Sequence, residues 1–385
     1  MRKWPTIRIA DEFSLQMGKT PARDNPAYWR GDKNWAAISD IARSGMYLTK
    51  TKETISQTAV DESGIKVVPP DTIVMSFKLS IGRTAITTSR IYTNEAIMAF
   101  LPHDASAFDL HFLYHLFSNR DWSEGSNKAV KGMTLNKATL NAAKIPKPDI
   151  SEQRTIANIL DKLCDLVEKC DEQLERLDQL VKSRFVEMFG DLVANDKRWT
   201  FAPLGKVCDV RDGTHASPQY LSAGYPLMTS KNFTGGYEDF SDVKFISKED
   251  FDEINKRSRV DVGDIVMPMI GTIGNPVIIT SDREFAIKNV SLIKFIDGSP
   301  INVFVKAVLS SQYFQRAVDE KNRGNTQKFI ALSDIRGFRI PLPPIALQRE
   351  FAAFVAKADK LAFAARRRRD LAQQMYRAKI QEFFG

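Results

Sequence analysis

From Ile156 onward the apolar residues of this chain fall in alternating steps of four and three: Ile156, Leu160, Leu163, Val167, Cys170, Leu174, Leu177, Val181 and Met188. That spacing holds one stripe on one face of an α-helix, and its repeat of seven makes the stripe an a/d seam that packs against a second helix. Arg184 takes one seam place, with Phe185 beside it. Pro146 and Pro148 cannot lie inside the helix, so it begins near Ser151, and Gly190 suits the left-handed position just past its end. About 38 residues rising about 1.5 Å each predict a rod of about 57 Å. A rod with a single apolar stripe needs a partner.

The same pattern returns 195 residues later. Ile145-Pro-Lys-Pro is answered by Ile340-Pro-Leu-Pro, Gln153-Arg154 by Gln348-Arg349, and Phe189-Gly190 by Phe384-Gly385. A period this long excludes a solenoid and predicts a duplicated unit, one globular domain plus one long helix. The second helix carries Phe351, Val355, Ala358, Ala362, Ala365, Arg369, Ala372, Tyr376 and Phe383 at its seam positions, with Phe354, Leu361, Met375 and Ala378 adding apolar width. Its alanines permit close approach but bury less area per residue, so the helix pair is expected to pack unevenly.

Ahead of each helix lie short runs rich in Val, Ile, Thr and Phe, bounded by Pro, Gly and Asp, which read as strands. In the first half they are Thr6 to Ile9, Ile65 to Val68, Thr72 to Phe77, Arg83 to Thr88 and Ala96 to Phe100, followed by a helix from Asp109 to Ser118. In the second half, Asp264 to Met267 answers Asp71 to Met75, Phe285 to Phe295 answers Tyr92 to Phe100, and Val303 to Val318 supplies the helix. Gly18 and Gly213, again 195 apart, each follow a short apolar run. The expected organisation is α+β: mixed, strand-rich domains at 1–150 and 191–344, and long helices at 151–190 and 345–385. Outside the anchors the two halves diverge, so one scaffold carries two different surfaces.

Hydrophobic and charged contents of 43% and 26% are ordinary for a globular protein. No apolar run of about 18 residues predicts a membrane span, and the first residues lack the apolar core of a signal peptide. Three cysteines make no disulfide framework, which fits a reducing cytoplasm; Cys164 and Cys170 on the first long helix read as small apolar residues rather than metal ligands. The net charge of +8 favours a polyanionic partner without establishing one. It is unevenly spread: +5 over 1–150, −3 over 151–189, +1 over 190–344 and +5 over 345–385. The two long helices therefore carry opposite charge and can pair through flanking positions as well as seams.

The conjunction of Ile-Pro-Lys-Pro or Ile-Pro-Leu-Pro-Pro, a Gln-Arg pair and a helix closing on Phe-Gly, twice, after two divergent domains, resembles the specificity subunit of type I restriction–modification systems. Gly18 to Asp32 with Trp35 and Ile38-Ser-Asp-Ile41, and Arg211-Asp-Gly-Thr-His-Ala-Ser-Pro-Gln-Tyr220 with Lys231-Asn232-Phe233, resemble the openings of that family's target recognition domains. The resemblance spans essentially the whole chain. It implies two target recognition domains, each reading one half of a split double-stranded DNA sequence, and two long helices paired as an antiparallel coiled coil that sets the spacer. It also implies no catalytic activity and no cofactor in this chain. Two methyltransferase subunits would dock on the helices and bring S-adenosylmethionine, and two motor–nuclease subunits could join for cleavage.

Local signals bear on this implication unequally. Asn25-Pro-Ala-Tyr28 resembles the Asn/Asp-Pro-Pro-Tyr signature of amino-methyltransferases, but lacks the second proline and an upstream glycine-rich loop, so Tyr28 and Trp29 are expected to pack the loop or form its DNA-facing edge. His111 and His115 share a helix face without the glutamate of a zincin, and read as half-buried helix histidines. The loops holding Lys78 and Arg83, and Asn275, follow the clearest strands, and their glycines let backbone approach a ligand. Lys128, Lys131, Arg323 and Lys328 occupy the loops before the long helices. Together with Lys19, Arg23, Arg211, His215, Lys231 and Asn232 these are the candidate DNA contacts, weighed against solvated surface charge. Arg366-Arg-Arg-Arg369 points around most of its helix and is expected to pair with acidic residues between Asp165 and Asp178 of the first; DNA phosphates or an acidic partner surface are the alternative. Two further functions compete with DNA reading: a coiled-coil adaptor, and a stand-alone methyltransferase or nuclease.

Overall fold

The computed structural model describes residues 4–78, 80–122, 127–129, 132–270, 273–322 and 329–385, with side chains for all but 127–129 and 132–134. By packing, the chain divides into two compact units, Met1–Asp171 with Arg366–Gly385, and Glu172–Ala365. The linear segments are thus regrouped. Each unit takes one globular domain and a part of each long helix, Ile150–Phe189 and Ile345–Phe384.

In unit 1 the runs Ile73–Ser76 and Thr84–Thr87 are buried along their whole length, which is why they read as unbroken apolar or β-branched stretches. They lie inside a five-stranded sheet in the order Phe13–Met17, Ile97–Pro102, Ile73–Ser76, Thr84–Thr87, Tyr47–Leu48. All its neighbours are antiparallel except the last pair. A second sheet sets Lys33–Ala36 between Glu53–Ile55 and Tyr92–Thr93. Asp109 caps the helix Leu110–Asn119 by accepting from Phe112 N–H at 3.0 Å. That helix lays Phe112, Leu113, Leu116 and Phe117 into a core shared with Phe13, Phe100, Ile156, Leu160 and Phe383.

Unit 2 is built alike. Its four-stranded sheet runs Asp209–Asp212, Val290–Lys294, Ile265–Pro268, Val277–Ile278, and a three-stranded sheet sets Tyr225–Met228 between Lys244–Ile246 and Ala286–Ile287. Among the described residues no fifth strand answers Tyr47–Leu48. The expected strand from Phe285 to Phe295 is two strands, separated where Asn289 takes φ +56°. The expected helix from Val303 to Val318 is also two, Asn302–Leu309 and Gln312–Lys321. Serine hydroxyls compete for backbone carbonyls, and Ser311 Oγ donates to Val308 O at 2.6 Å at the break. Ile65 to Val68 yields only an isolated bridge, Val68 to Ile91.

The duplication extends to strand register. Thr6–Arg8 pairs antiparallel with Lys144–Pro146, Ile7 opposite Ile145; Phe201–Pro203 pairs with Arg339–Pro341, Ala202 opposite Ile340. Both partners shift by 195. Each globular domain is therefore closed where its chain enters and leaves, directly ahead of a long helix. The glutamines of the Gln-Arg pairs sit at this junction, fully buried. Gln153 accepts from Asp109 N–H at 2.9 Å and donates to Ala107 O and Pro148 O at 3.1 and 3.0 Å. Gln348 accepts from Ile301 N–H and donates to Pro343 O, both at 2.8 Å.

Within each unit the two helix segments run antiparallel. In unit 1 Ile156 and Leu160 share a cluster with Phe383, while Arg369 donates to Asp171 at 3.1 Å. In unit 2 Phe185 and Phe189 lie against Phe351 with ring centroids 5.5 Å apart, and Arg184 donates to Glu350 at 2.8 Å. Leu163, Val167, Leu174, Leu177 and Val355 are half-buried, and Ala358, Ala362, Ala365 and Ala372 buried. The extra apolar width expected beside the second seam is not packed as expected. Leu361 and Met375 are 54% and 46% exposed, because their positions on the helix lie outside the arc the partner segment covers.

Candidate nucleic-acid interface

In unit 1 the chain leaves the strand Phe13–Met17 at Gly18 and lies directly on the turn after Tyr92–Thr93. Gly18 N–H donates to Ile97 O at 3.1 Å and Lys19 N–H to Thr93 O at 2.8 Å. A Cβ on Gly18 would stand 2.2 Å from the carbonyl oxygens of Thr93 and Asn94, so only glycine fits. The next side chain, Thr20, donates its hydroxyl to the Glu95 carboxylate. Partial burial works to raise the Glu95 carboxyl, but the Thr20 hydrogen bond, a backbone N–H and the charges of Lys78 and Arg23 outweigh it and hold the group below its ordinary range. Sequence candidates Lys78 and Arg23 are thereby brought around one carboxylate.

Arg23 is itself fixed. It donates to both Glu53 oxygens at 2.6 and 3.1 Å and stacks 3.7 Å from the Trp29 ring centroid. Trp29 meets Trp35 edge-on at 5.0 Å, and Asn25 caps the short helix Pro26–Trp29 by accepting from Ala27 N–H at 3.1 Å. Tyr28 donates to Glu62 at 2.5 Å. The Asn-Pro-Ala-Tyr stretch is thus a packed platform beneath Arg23. The exposed Lys19 ammonium donates to Ser63 O at 2.5 Å, and the exposed Arg83 belongs to the hairpin between Ile73–Ser76 and Thr84–Thr87, its backbone N–H donating to Ser76 Oγ at 3.2 Å.

Unit 2 repeats this construction with other side chains. Gly213 N–H donates to Val290 O at 2.9 Å and Thr214 N–H to Ile287 O at 3.0 Å, and a Cβ on Gly213 would stand 2.4 Å from Ile287 O. His215 occupies the place of Thr20. Its Nδ1 lies 2.9 Å from Asn289 Oδ1 and its Nε2 2.8 Å from Asp212 Oδ2. Both neighbours are acceptors, so the bonds to Asn289 and Asp212 favour the protonated ring and raise the His215 pKa. Arg257 closes the loop, 2.9 Å from Asp212 Oδ1 and donating to Gly213 O at 3.2 Å.

Two candidates prove to be internal. Asn232, expected to face DNA, is buried. Its Oδ1 accepts from Thr229 N–H at 2.9 Å, and its Nδ2 donates to Asp239 O and Asp242 O, both at 3.0 Å. It is a helix cap, as Asp40 is in unit 1, where Oδ2 accepts from Ala37 N–H at 2.9 Å. Arg211 is held by Asp209 Oδ2 at 2.8 and 2.5 Å and by Arg257 O at 2.8 Å, so it braces the loop. Lys231 is exposed, and Asn275 reaches the same turn, 3.5 Å from Thr234 O. Lys131, Arg323 and Lys328 lie outside the described residues, as does the side chain of Lys128. Glu95, Asn289 and Arg257 were not singled out from sequence, since only the folded turn brings them beside Thr20, His215 and Gly213.

The remaining chemistry is structural. His111 and His115 both bind Asp161, at 2.6 and 2.8 Å, and their other nitrogens meet Tyr47 and Tyr376 at 2.5 and 3.0 Å. Burial lowers the His115 pKa, which keeps that ring neutral within the network. Burial pushes the Cys164 thiol up to about 11 and Cys208 to about 12, away from thiolate chemistry. Among the described residues no group of three or more His, Cys, Asp or Glu could hold a metal, and no helix is long and apolar enough to cross a membrane.

The model of the type I restriction modification DNA specificity domain matches residues 1–176 and again 196–371. The two matches are themselves offset by 195. The MjaIX type I restriction enzyme specificity subunit of Methanocaldococcus jannaschii is 25% identical over 390 residues, covering 92% of this chain and 86% of its own length. In fold, the chain is similar to the solved type I restriction-modification S subunit of M. genitalium, with a TM-score of 0.62 at 15% identity over 100% of this chain and 96% of that one. A structure solved for complex assembly and conformational transition of the type I R-M system gives 0.61 at 15% identity, over 100% and 98%. With the DNA specificity domain matched twice, at the spacing of its own internal repeat, the chain belongs to the family of type I restriction–modification specificity subunits.

Proposed function

We propose that this chain is the DNA-reading subunit of a type I restriction–modification complex, without catalytic groups of its own, and that each globular domain reads one half of a bipartite double-stranded target. One observation carries the reading. The 195-residue repeat unites strand register, buried glutamines and family match, yet the clasped loops carry Thr20 and Glu95 in one unit and His215 and Asn289 in the other. A frame kept twice beneath two different surfaces suits an asymmetric, two-part sequence.

Lys19, Arg23, Lys78 and Arg83 serve one half-site; His215, Lys231 and Asn275 serve the other; Lys128, Lys131, Arg323 and Lys328 add phosphate contacts from the loops before the helices. Arg211 and Asn232 hold loop shape rather than touching DNA. The long helices set the spacer and dock two methyltransferase subunits, which bring S-adenosylmethionine and modify adenine. Two motor–nuclease subunits join that assembly for cleavage. The complex works in the cytoplasm, where its DNA and the three reduced cysteines both belong.

Mixing tests the reading. The chain and its methyltransferase partner together, with S-adenosylmethionine, should methylate duplex DNA at one bipartite motif, and either alone should not. Turnover by the isolated chain would refute the non-catalytic assignment. An assembled complex that modifies DNA without sequence preference would favour an adaptor.

A further inference from the structure

At the loop clasp the two units share backbone geometry closely and differ in the side chains presented. In both, a glycine seals the loop against the turn opposite and the side chain two residues on crosses to that turn. What the turn presents is an exposed carboxylate in unit 1 and a half-buried amide in unit 2. We propose that this crossing is a base-reading position of each domain, Glu95 accepting from the N4 amino group of a cytosine in one half-site and Asn289 donating its amide N–H to a base-edge acceptor in the other. The inference rests on the DNA-reading function proposed above and names the residues through which it acts.

Charge decides the role of Glu95. A carboxylate on a DNA-facing surface is repelled by phosphate, so it contributes only against a donor on a base edge. In the major groove cytosine offers its N4 amino group, whereas adenine sets the N7 lone pair beside its N6 donor, against the second carboxylate oxygen. Thr20 donates to Oε2 and a backbone N–H also bonds the carboxylate, whose two oxygens keep further lone pairs for the base. Lys78 and Arg23 are close enough to stabilise the ionised carboxylate, and Arg23 is held there by Glu53 and Trp29. Asn289 is defined by the bond it already makes. Its Oδ1 is engaged with His215 at 2.9 Å, so its amide nitrogen is the group left to offer, and that nitrogen only donates. Its φ of +56° is a conformation asparagine tolerates better than most side chains.

Selection from a random-sequence duplex library by the chain assembled with its methyltransferase subunits tests this. The native complex should select a bipartite motif with a cytosine in the half read by unit 1. Glu95→Gln, which keeps the shape of the Thr20 contact, should move that one position from cytosine toward adenine, with discrimination against the original base falling roughly 10-fold or more. Asn289→Asp, which retains tolerance of positive φ while removing the amide donors, should alter one position in the other half only. Variants with native unfolding midpoints and an unchanged motif would overturn the inference while leaving the DNA-reading function intact. So would a uniform loss of affinity across all sequences, the mark of a phosphate contact. A native complex that selects no motif would overturn the function itself, and the inference with it.

Discussion

Gln153 and Gln348 show most clearly how a residue's role emerges from its surroundings. In sequence each is half of a Gln-Arg pair that marks the repeat; in the fold each is a buried amide tying loop carbonyls and an N–H to the start of a long helix. Replacing either with Leu strands several buried backbone groups, and each should cost about 2–3 kcal/mol. Urea unfolding measures it; a loss under about 0.5 kcal/mol would mean that water or relaxation satisfies those groups. His215 makes a second residue-scale expectation. Its folded pKa is raised above the ordinary histidine value by Asn289 and Asp212. The contribution of those bonds is therefore complete below the unfolded pKa and is lost as pH rises through the folded one. NMR titration should find His215 titrating above free histidine, and Asn289→Asp and Asp212→Asn should each change that pKa, the latter downward. Titration at or below the free value would contradict the geometry. Neither Asn232 nor Arg211 could be separated from true surface residues in sequence, because a capping asparagine and a reading asparagine are spelled alike.

At the scale of elements, legibility followed burial. Ile73–Ser76 and Thr84–Thr87 were readable as strands because every residue is buried, whereas Lys33–Ala36 and Glu53–Ile55 begin with polar residues and carry no such run. The helix Lys248–Ser258 was missed for the same reason: Phe251 is its one buried large apolar residue in an otherwise charged segment. The long helices were legible over nearly their full length, since a seam of seven leaves little freedom of register. Their packing gives a contrast. Ala365 and Ala372 are almost completely buried, so Ala365→Leu or Ala372→Leu should overpack the seam at about 1–3 kcal/mol. Leu361→Ala removes an exposed side chain and should stay within about 0.5 kcal/mol. Thermal unfolding checks both, and equal effects would mean that the burial pattern is misassigned. If the helices set the spacer, one extra heptad in each should lengthen it by about 10 Å, or about three base pairs, with both half-sites unchanged. A spacer unaltered by insertions that preserve assembly would remove the helices from that role.

For the whole molecule, duplication was the property most fully legible in the sequence, because an offset of 195 is a matter of counting and recurs in strand register and family match alike. The proposed reading surface was least legible. In each unit it is made where one glycine, Gly18 or Gly213, lies against the turn opposite, and the partners so joined, Thr20 with Glu95 and His215 with Asn289, are about 75 residues apart in sequence. The central claim, that this chain chooses the sequence while other subunits carry the chemistry, is tested most directly by mapping methylated adenines across the genome of a host supplying the methyltransferase subunits, with and without this chain. The account predicts methylation at a single bipartite motif when the chain is present and none at that motif when it is absent. Methylation of the same motif in its absence would contradict the account.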